Sequence, residues 1–529
     1  MISRRPAALL AAGALLAGVA CSRGSSPAAA PAPSAPAFDA ARASAAAKAA
    51  FPAGWRFQAG TDATFAEHAM VVSMSRYASE AGVEIMRAGG NAVDAAVATG
   101  FALAVTYPTA GNIGGGGFMN IRLADGRTAV IDYRETAPAG ASRDMYLGPD
   151  GKLTSKSTVG HLASGVPGSV AGMAEALAKY GTMPLAKVMA PAIRLASEGF
   201  VVDTTMSRGG ACSRLIAQFE GKTLFCPGGE SLKPGTLFKQ PDLARTLREI
   251  AAKGPPGFYT GWVADSLVAE ETRGGGIITL SDLKGYKPLW RTPITSTYRG
   301  YTLFSMPPAS SGGITMTETL NILEQFAPLP PAGSAAYTHL VAEALRRSFT
   351  DRNTKLGDPA FVTVPMDQLT SKEYAKTLAA QIDRTKASKT PAFQAGPEPE
   401  HTTHYSVVDA TGNAVATTTT LNGGYGSGVW VRGAGFFMNN EMDDFAAAPG
   451  QPNMFGLVQG EANAIQPGKR MLSAMAPTIV LDPKGQLLMV TGAAGGPTII
   501  TAVMDIILNV VEHGMTLADA MKAPRLHHQ

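Results

Sequence analysis

Alternation of apolar and polar positions marks paired strands at several places along this chain. Phe118 to Leu123 and Thr128 to Tyr133 alternate on either side of Asp125-Gly126, a hairpin signal. Thr402 to Asp409 and Ala414 to Leu421 flank the turn Ala410-Thr411-Gly412-Asn413. Thr478 to Leu481 and Leu487 to Val490 flank Asp482-Pro483-Lys484-Gly485, and further strands are expected near Pro293 to Phe304. Helical spacing takes over elsewhere. Met70 to Arg87 reads as a short strand and then a helix ended by Gly89-Gly90. Asn91 caps a second helix, Ala92 to Val105, apolar on most faces and hence buried. Gly168 to about Asp282 is expected to be mostly helical, with helices at Leu185 to Glu198 and Pro241 to Ala252. Tyr337 to Phe349 reads as a long helix ending in Asp351-Arg352. Pro497 sits as the first residue of an apolar helix reaching Val511.

A hairpin centred on Ala410 to Asn413 brings Thr402 opposite Thr420 or Leu421, depending on a one-residue register. Directly opposed residues lie about 5 Å apart. The strand follows a proline-rich connector, Thr390 to His401, where a self-cleaving protein would expose a new N-terminal Thr402. A Thr hydroxyl is a weak nucleophile, but a free α-amine on the same residue can take its proton. That amine titrates near pH ~8, which suits a general base. Taken alone, the segment fits an ordinary Thr-rich strand at least as well.

The remaining motifs change that balance. Gly89-Gly90-Asn91-Ala92-Val93-Asp94, Gly114-Gly115-Gly116-Gly117-Phe118, Arg134-Glu135-Thr136-Ala137-Pro138 and Val166-Pro167-Gly168 come in that order. Pro307-Pro308-Ala309-Ser310-Ser311-Gly312-Gly313, the Thr402 segment, Thr420-Leu421-Asn422-Gly423-Gly424, Asn439-Asn440-Glu441-Met442-Asp443-Asp444-Phe445 and Gly495-Gly496 follow. Together they resemble the gamma-glutamyltranspeptidase (glutathione hydrolase) family of the N-terminal-nucleophile hydrolase superfamily, from about residue 66 to the end. The resemblance implies an α/β fold, a four-layer αββα sandwich. It also implies self-cleavage between His401 and Thr402, giving a large subunit (51–401) and a small one (402–529) that stay together as a heterodimer. Thr402 is then the nucleophile, taking the γ-glutamyl group of glutathione or a related amide as an ester. Water, or an amino acid or peptide acceptor, releases it. Neither a metal nor an organic cofactor is implied.

Several residues take roles from the same resemblance. Thr420 is favoured over Leu421 as the neighbour of Thr402. Gly495 and Gly496, between a strand and a helix start, would offer backbone N–H groups to an oxyanion. Arg134 and Ser473 are assigned to the substrate α-carboxylate, since a guanidinium grips carboxylates in two parallel bonds. Asn422, Glu441 and Asp444 are assigned to the α-amino group. Read singly, Arg134 would more often be a surface arginine paired to Asp132 or Glu135, and Glu441 with Asp444 a solvated acidic turn. Gly114 to Gly117 lacks the spacing of a phosphate loop and reads as close backbone packing beside the site.

Three departures stand out. Ala474 replaces a second serine after Ser473, and Phe455 replaces a lid-loop tyrosine. The family's fold is also expected to continue several tens of residues beyond Gln529. An acylase of the same scaffold, acting on glutaryl side chains of cephalosporin-type β-lactams, is the nearest rival, although it would not need Asp444. A catalytically dead, unprocessed envelope protein is a second, supported only by the short C-terminus.

Composition adds the compartment. Arg4-Arg5 and the apolar stretch Ala7 to Ala20 have signal-peptide length. Cys21 follows, leading into a Ser/Pro/Ala-rich tether. Residues 1–21 are therefore expected to be a signal with a lipobox-like Cys21, and 22–50 a flexible tether, with Phe38 to Ala50 helical or loosely ordered. An exported periplasmic protein or outer-membrane-anchored lipoprotein of a bacterium follows, tethered through lipidated Cys21. There Cys212 and Cys226 could close a disulfide loop, the alternative being two buried free thiols. The net charge of +4 over 529 residues, without a basic run, argues against nucleic acid.

Overall fold

The computed structural model describes residues 49–55, 57–208, 212, 215–389 and 402–529. The signal segment with Cys21, nearly all of the expected tether, and the connector through His401 lie outside the described residues.

The fold is mixed α/β with antiparallel sheets. Strands β1 (Met70–Val72), β2 (Gly116–Arg122) and β3 (Thr128–Asp132) come first. A small pair follows, β4 (Phe200–Val201) and β5 (Leu237–Phe238). Then come β6 (Leu289–Arg291), β7 (Ile294–Tyr298), β8 (Tyr301–Ser305), β9 (Thr402–Val408), β10 (Ala414–Thr420), β11 (Thr478–Leu481) and β12 (Leu487–Thr491). Six of them form one sheet in the order β1-β9-β10-β2-β3-β6, and four form a second, β12-β11-β8-β7.

The β9–β10 hairpin sits inside the larger sheet, with β1 hydrogen-bonded to β9 and β2 to β10. Every residue of β10 is buried, which suits a run of β-branched and small residues paired on both edges. The carboxylate of Asp409 organises the turn, accepting from Thr411 N (2.9 Å) and Asn413 N (3.0 Å), and also from Ala92 N (2.9 Å). On the outer face of this sheet lies the helix Ala92–Thr106, buried along its whole length. Asn91 and Asp94 cap it reciprocally: Asn91 Oδ1 accepts from Val93 N (2.8 Å), and Asp94 Oδ2 accepts from Asn91 N (2.8 Å). On the inner face, Ala414 and Ala416 meet Ile479 of the second sheet. Asn120 ties the sheets together, donating to Phe304 O at 2.8 Å and Pro477 O at 3.2 Å. Beyond the second sheet, the helices Gly312–Glu324, Ala335–Lys355 and Thr498–Val511 share one apolar core.

Several elements differ from the sequence reading. The helix expected over 337–349 runs from Ala335 to Lys355, so Asp351 and Arg352 lie within it. The Pro307–Gly313 motif leads into a buried helix, Gly312–Glu324, that its two leading glycines concealed. They are needed there, since a Cβ on Gly313 would lie 2.2 Å from Met306 O. The strands expected near Pro293 to Phe304 are present, paired as a hairpin turning at Arg299-Gly300, both at positive φ (50° and 85°). Short strands β4, β5 and β6 were not expected, being too brief to show a period. Cys212 and Cys226 are joined as a disulfide, with Cα atoms 5.2 Å apart.

Candidate active site

Thr402 opens β9, and the register places it directly opposite Thr420 rather than Leu421. The two hydroxyl oxygens stand 3.4 Å apart. Thr420 Oγ1 accepts from the backbone N–H of Asn422 at 2.8 Å, which fixes its position. Asn422 itself lies at positive φ (75°), turning the chain so that its side chain donates to Asn440 O at 3.0 Å. Asn112 supports the strand end from behind, donating to Thr420 O (2.9 Å) and accepting from Gly115 N (3.0 Å). Gly114 to Gly117 let the backbones approach. A Cβ on Gly115 would stand 2.2 Å from Thr420 O, and one on Gly117 2.5 Å from Thr418 O.

Thr402 and Thr420 border a small cavity. Its wall also includes Arg134, Asn422, Glu441, Asp444, Phe455, Ser473 and Gly496. Almost the whole expected set thus converges from well-separated segments of the chain. Gly495 is next to the wall but not in it. Gly495 and Gly496 both have positive φ (119° and 57°) at the entry to the helix Thr498–Val511. Their carbonyls accept from Thr498 N (3.2 Å) and Ile499 N (3.1 Å). The Phe455 ring rests on this turn, since a Cβ on Gly496 would meet its Cδ1 at 2.6 Å.

Arg134 is buried and so are its partners. Nη1 donates to Glu441, Nη2 to Asp444, and Nε to Met471 O at 3.2 Å. Glu135 lies 3.7 Å from Nη1. Asp132 accepts from the Arg134 backbone N–H (3.0 Å), while its side chain pairs with Arg291 (2.7 Å). Glu441 and Asp444 therefore form a buried turn, Glu441–Asp444, and not a solvated one. Arginine solvates them in place of water. Burial pushes the Arg134 guanidinium down, but Glu441 and Asp444 outweigh it and the net shift is upward. Burial pushes the Glu135 carboxyl up to about 7 and Glu441 well above the usual range, with Arg134 opposing both. Burial likewise raises Asp444, against Arg134 and then Arg352.

Residues outside the expected set complete the arrangement. Asn439 Oδ1 accepts from Gly165 N (2.8 Å) and its Nδ2 donates to Gly114 O (2.8 Å), pinning the acidic turn to the glycine segment. Asp443, pushed up to about 6 by burial, accepts from Met454 N (2.9 Å) and Ser157 Oγ (2.7 Å) and so anchors the Phe455 loop. Arg352 also reaches the cavity wall. Two residues beyond Thr402, part-buried His404 bridges Thr418 Oγ1 (2.9 Å) and Ser406 Oγ (3.0 Å). Burial holds its imidazole down at about 3, hence neutral. Among the described residues, no group of three or more His, Cys, Asp or Glu side chains is arranged to hold a metal ion.

The gamma-glutamyltranspeptidase family model matches residues 78–529. The glutathione hydrolase proenzyme of Escherichia coli K12 is 49% identical over 473 residues, covering 88% of this chain and 81% of that one. The crystal structure of Helicobacter pylori gamma-glutamyltranspeptidase has a TM-score of 0.60 at 40% identity, covering 62% of this chain and 95% of the other. That of a cephalosporin acylase from Bacillus halodurans has a TM-score of 0.76 at 28% identity, covering 90% and 86%.

Proposed function

The chain belongs to the gamma-glutamyltranspeptidase family, and from that membership we propose that it is a self-processing γ-glutamyl hydrolase and transferase acting on glutathione and related amides. One observation carries this reading. Thr402, the first residue of a central strand, faces a cavity whose opposite wall presents paired carboxylates held by an arginine.

In this reading water hydrolyses the bond between His401 and Thr402, leaving a carboxylate on His401 and a free α-amine on Thr402. That amine takes the hydroxyl proton as Oγ1 attacks the γ-carbonyl carbon. The N–H groups of Gly495 and Gly496 receive the oxyanion. The proton passes to the departing amine, and the γ-glutamyl group remains as an ester on Oγ1. A water or an acceptor amine then attacks the ester, giving its proton back through the α-amine. Glu441, Asp444 and Asn422 receive the substrate ammonium, and Arg134 and Ser473 its carboxylate. Thr420 holds the nucleophile in line, and Phe455 covers the bound group.

The scaffold is the four-layer αββα sandwich, with the facing sheets as the two inner layers. After cleavage the pieces stay together because β9 and β10 are flanked by β1 and β2 of the large subunit. Separating them would break ladder bonds along both edges of the hairpin and expose the buried face of β10. The protein acts in the bacterial envelope, with Cys21 as its lipid anchor.

The likeness to a cephalosporin acylase favours a second reading on the same scaffold. Buried Asp444 and Glu441 weigh against it, since a glutaryl group brings no ammonium to meet them. Incubation of the purified protein with glutathione tests the proposal. Free glutamate should appear, or a γ-glutamyl peptide when an acceptor is added, and Thr402→Ala should abolish both. Release from glutaryl amides alone would overturn it.

A further inference from the structure

The cavity wall contains two guanidinium groups, and they are in opposite states. Arg134 has carboxylates on both terminal nitrogens and a carbonyl on Nε. Arg352, on the helix Ala335–Lys355, is only 1% exposed. Its Nε donates to Ser311 Oγ (3.0 Å), and Nη1 to Asn353 Oδ1 (2.9 Å) and Gln459 Oε1 (3.3 Å). All three acceptors are neutral. Its Nη2 is buried without a hydrogen-bond partner, and no carboxylate of the described residues lies within salt-bridge distance. A buried cation with no counter-ion in direct contact is costly to keep, and burial pushes this guanidinium down to about 10 against the opposing pull of Asp444. An incoming anion would relieve that cost.

The surroundings say where that anion would lie. Ser311 Oγ accepts from Arg352 and donates to Ser473 O at 2.7 Å, so the guanidinium and the Ser473 strand are held as one unit. Beside Ser473 the wall continues as Ala474, which offers no hydroxyl. Asp444 lies near enough to Arg352 to oppose its downward shift. An α-amino acid end lodged here would set its ammonium by Asp444 and its carboxylate by Ser473 and Arg352.

We propose that Arg352 is a specificity-determining residue that donates to the α-carboxylate of the γ-glutamyl donor alongside Arg134 and Ser473, adding open hydrogen bonds to those Arg134 shares with Glu441 and Asp444. This rests on the γ-glutamyl reading of the site. In this role Arg352 senses only substrates that carry the α-carboxylate.

The test pairs two anilides, γ-glutamyl-p-nitroanilide and γ-aminobutyryl-p-nitroanilide, the second keeping the ammonium and lacking only the α-carboxylate. Arg352→Gln should raise KM for the γ-glutamyl anilide by about thirty-fold or more, as for loss of one partner of a buried charge-assisted pair. The γ-aminobutyryl anilide should lose less than about three-fold. Gln459→Glu provides a second route that leaves the arginine in place: a carboxylate beside Nη1 would occupy its charge and raise the γ-glutamyl KM selectively. Equal losses on both anilides in processed, folded variants would make Arg352 a structural residue and overturn the inference, while the γ-glutamyl reading would stand. A wild-type protein that fails to turn over the γ-glutamyl anilide would overturn both.

Discussion

Thr402 and Thr420 face one another across the β9–β10 ladder with hydroxyl oxygens 3.4 Å apart, and Thr420 is itself fixed by the Asn422 N–H. The second hydroxyl is thus built in by strand register. Thr420→Val keeps the shape but removes the acceptor of a buried N–H, at a cost of about 1–3 kcal/mol. Its melting temperature should fall, and its processing and turnover should slow by more than ten-fold, whereas Thr420→Ser should recover both. Turnover unchanged in Thr420→Val would remove the second hydroxyl from the mechanism.

Gly115 offers a purely steric probe of the same arrangement. An alanine Cβ there would sit 2.2 Å from Thr420 O and 2.8 Å from Asn112 Oδ1, so the strand end must shift. A displacement of about 1 Å can cost on the order of 100-fold in rate. Gly115→Ala should accumulate as unprocessed chain on a denaturing gel. Normal processing would show that the strand end tolerates displacement.

Asp444 separates the two enzymatic readings. Asp444→Asn keeps the shape, deletes the charge that in the γ-glutamyl reading meets the substrate ammonium, and leaves Arg134 Nη2 without a carboxylate. Turnover of γ-glutamyl-p-nitroanilide should drop roughly 30- to several-thousand-fold, mainly through substrate binding. Turnover of a glutaryl anilide should hold or improve. If the wild type prefers the glutaryl anilide and the variant keeps γ-glutamyl turnover, the acylase reading wins.

His404 gives a pH signature. Burial holds its folded-state pKa at about 3 against an ordinary 6.5. Between those values the unfolded chain binds a proton that the folded chain does not. Its contribution is therefore fully present above pH 6.5 and is lost as pH falls toward 3, by at most about 1.4 kcal/mol per pH unit. Glu135, raised to about 7, has the opposite sign and costs stability as pH rises from 4.5 to 7. A comparison between proteins cancels that second effect. On acidification from pH 6.5 to 4.5, wild type should lose more melting temperature than His404→Gln. Parallel curves would mean that His404 is protonated in the fold.

What could be read from the chain followed the range of each interaction. The β9–β10 hairpin and the capped helix behind it rest on local alternation, turn and cap chemistry, and they stand within a residue or two of expectation. The pairing partner of Thr402 was open by one residue, because alternation fixes the face of a strand and not its register. The state of Arg134 was not legible, since its carboxylate partners Glu441 and Asp444 lie some three hundred residues on. Arg352 was missed because its helix was ended too early. It did leave a faint signal: Asp351 pairs with Lys355 at i,i+4, while Arg352 has Ser348, Phe349, Lys355 and Leu356 at its helical spacings and no acid among them. The helix Gly312–Glu324 opens with two glycines that propensity counts against and tertiary packing requires.

The central claim is that Thr402 becomes the N-terminal residue that carries the γ-glutamyl group. An intact-mass measurement of the purified protein, quenched in acid during turnover of glutathione, tests it most directly. The account predicts two pieces, the smaller beginning at Thr402, with a fraction heavier by one γ-glutamyl group that fragmentation places on Thr402; Thr402→Ala should remain one unmodified chain. A small piece beginning at any other residue, or the γ-glutamyl group on any other side chain, would contradict it.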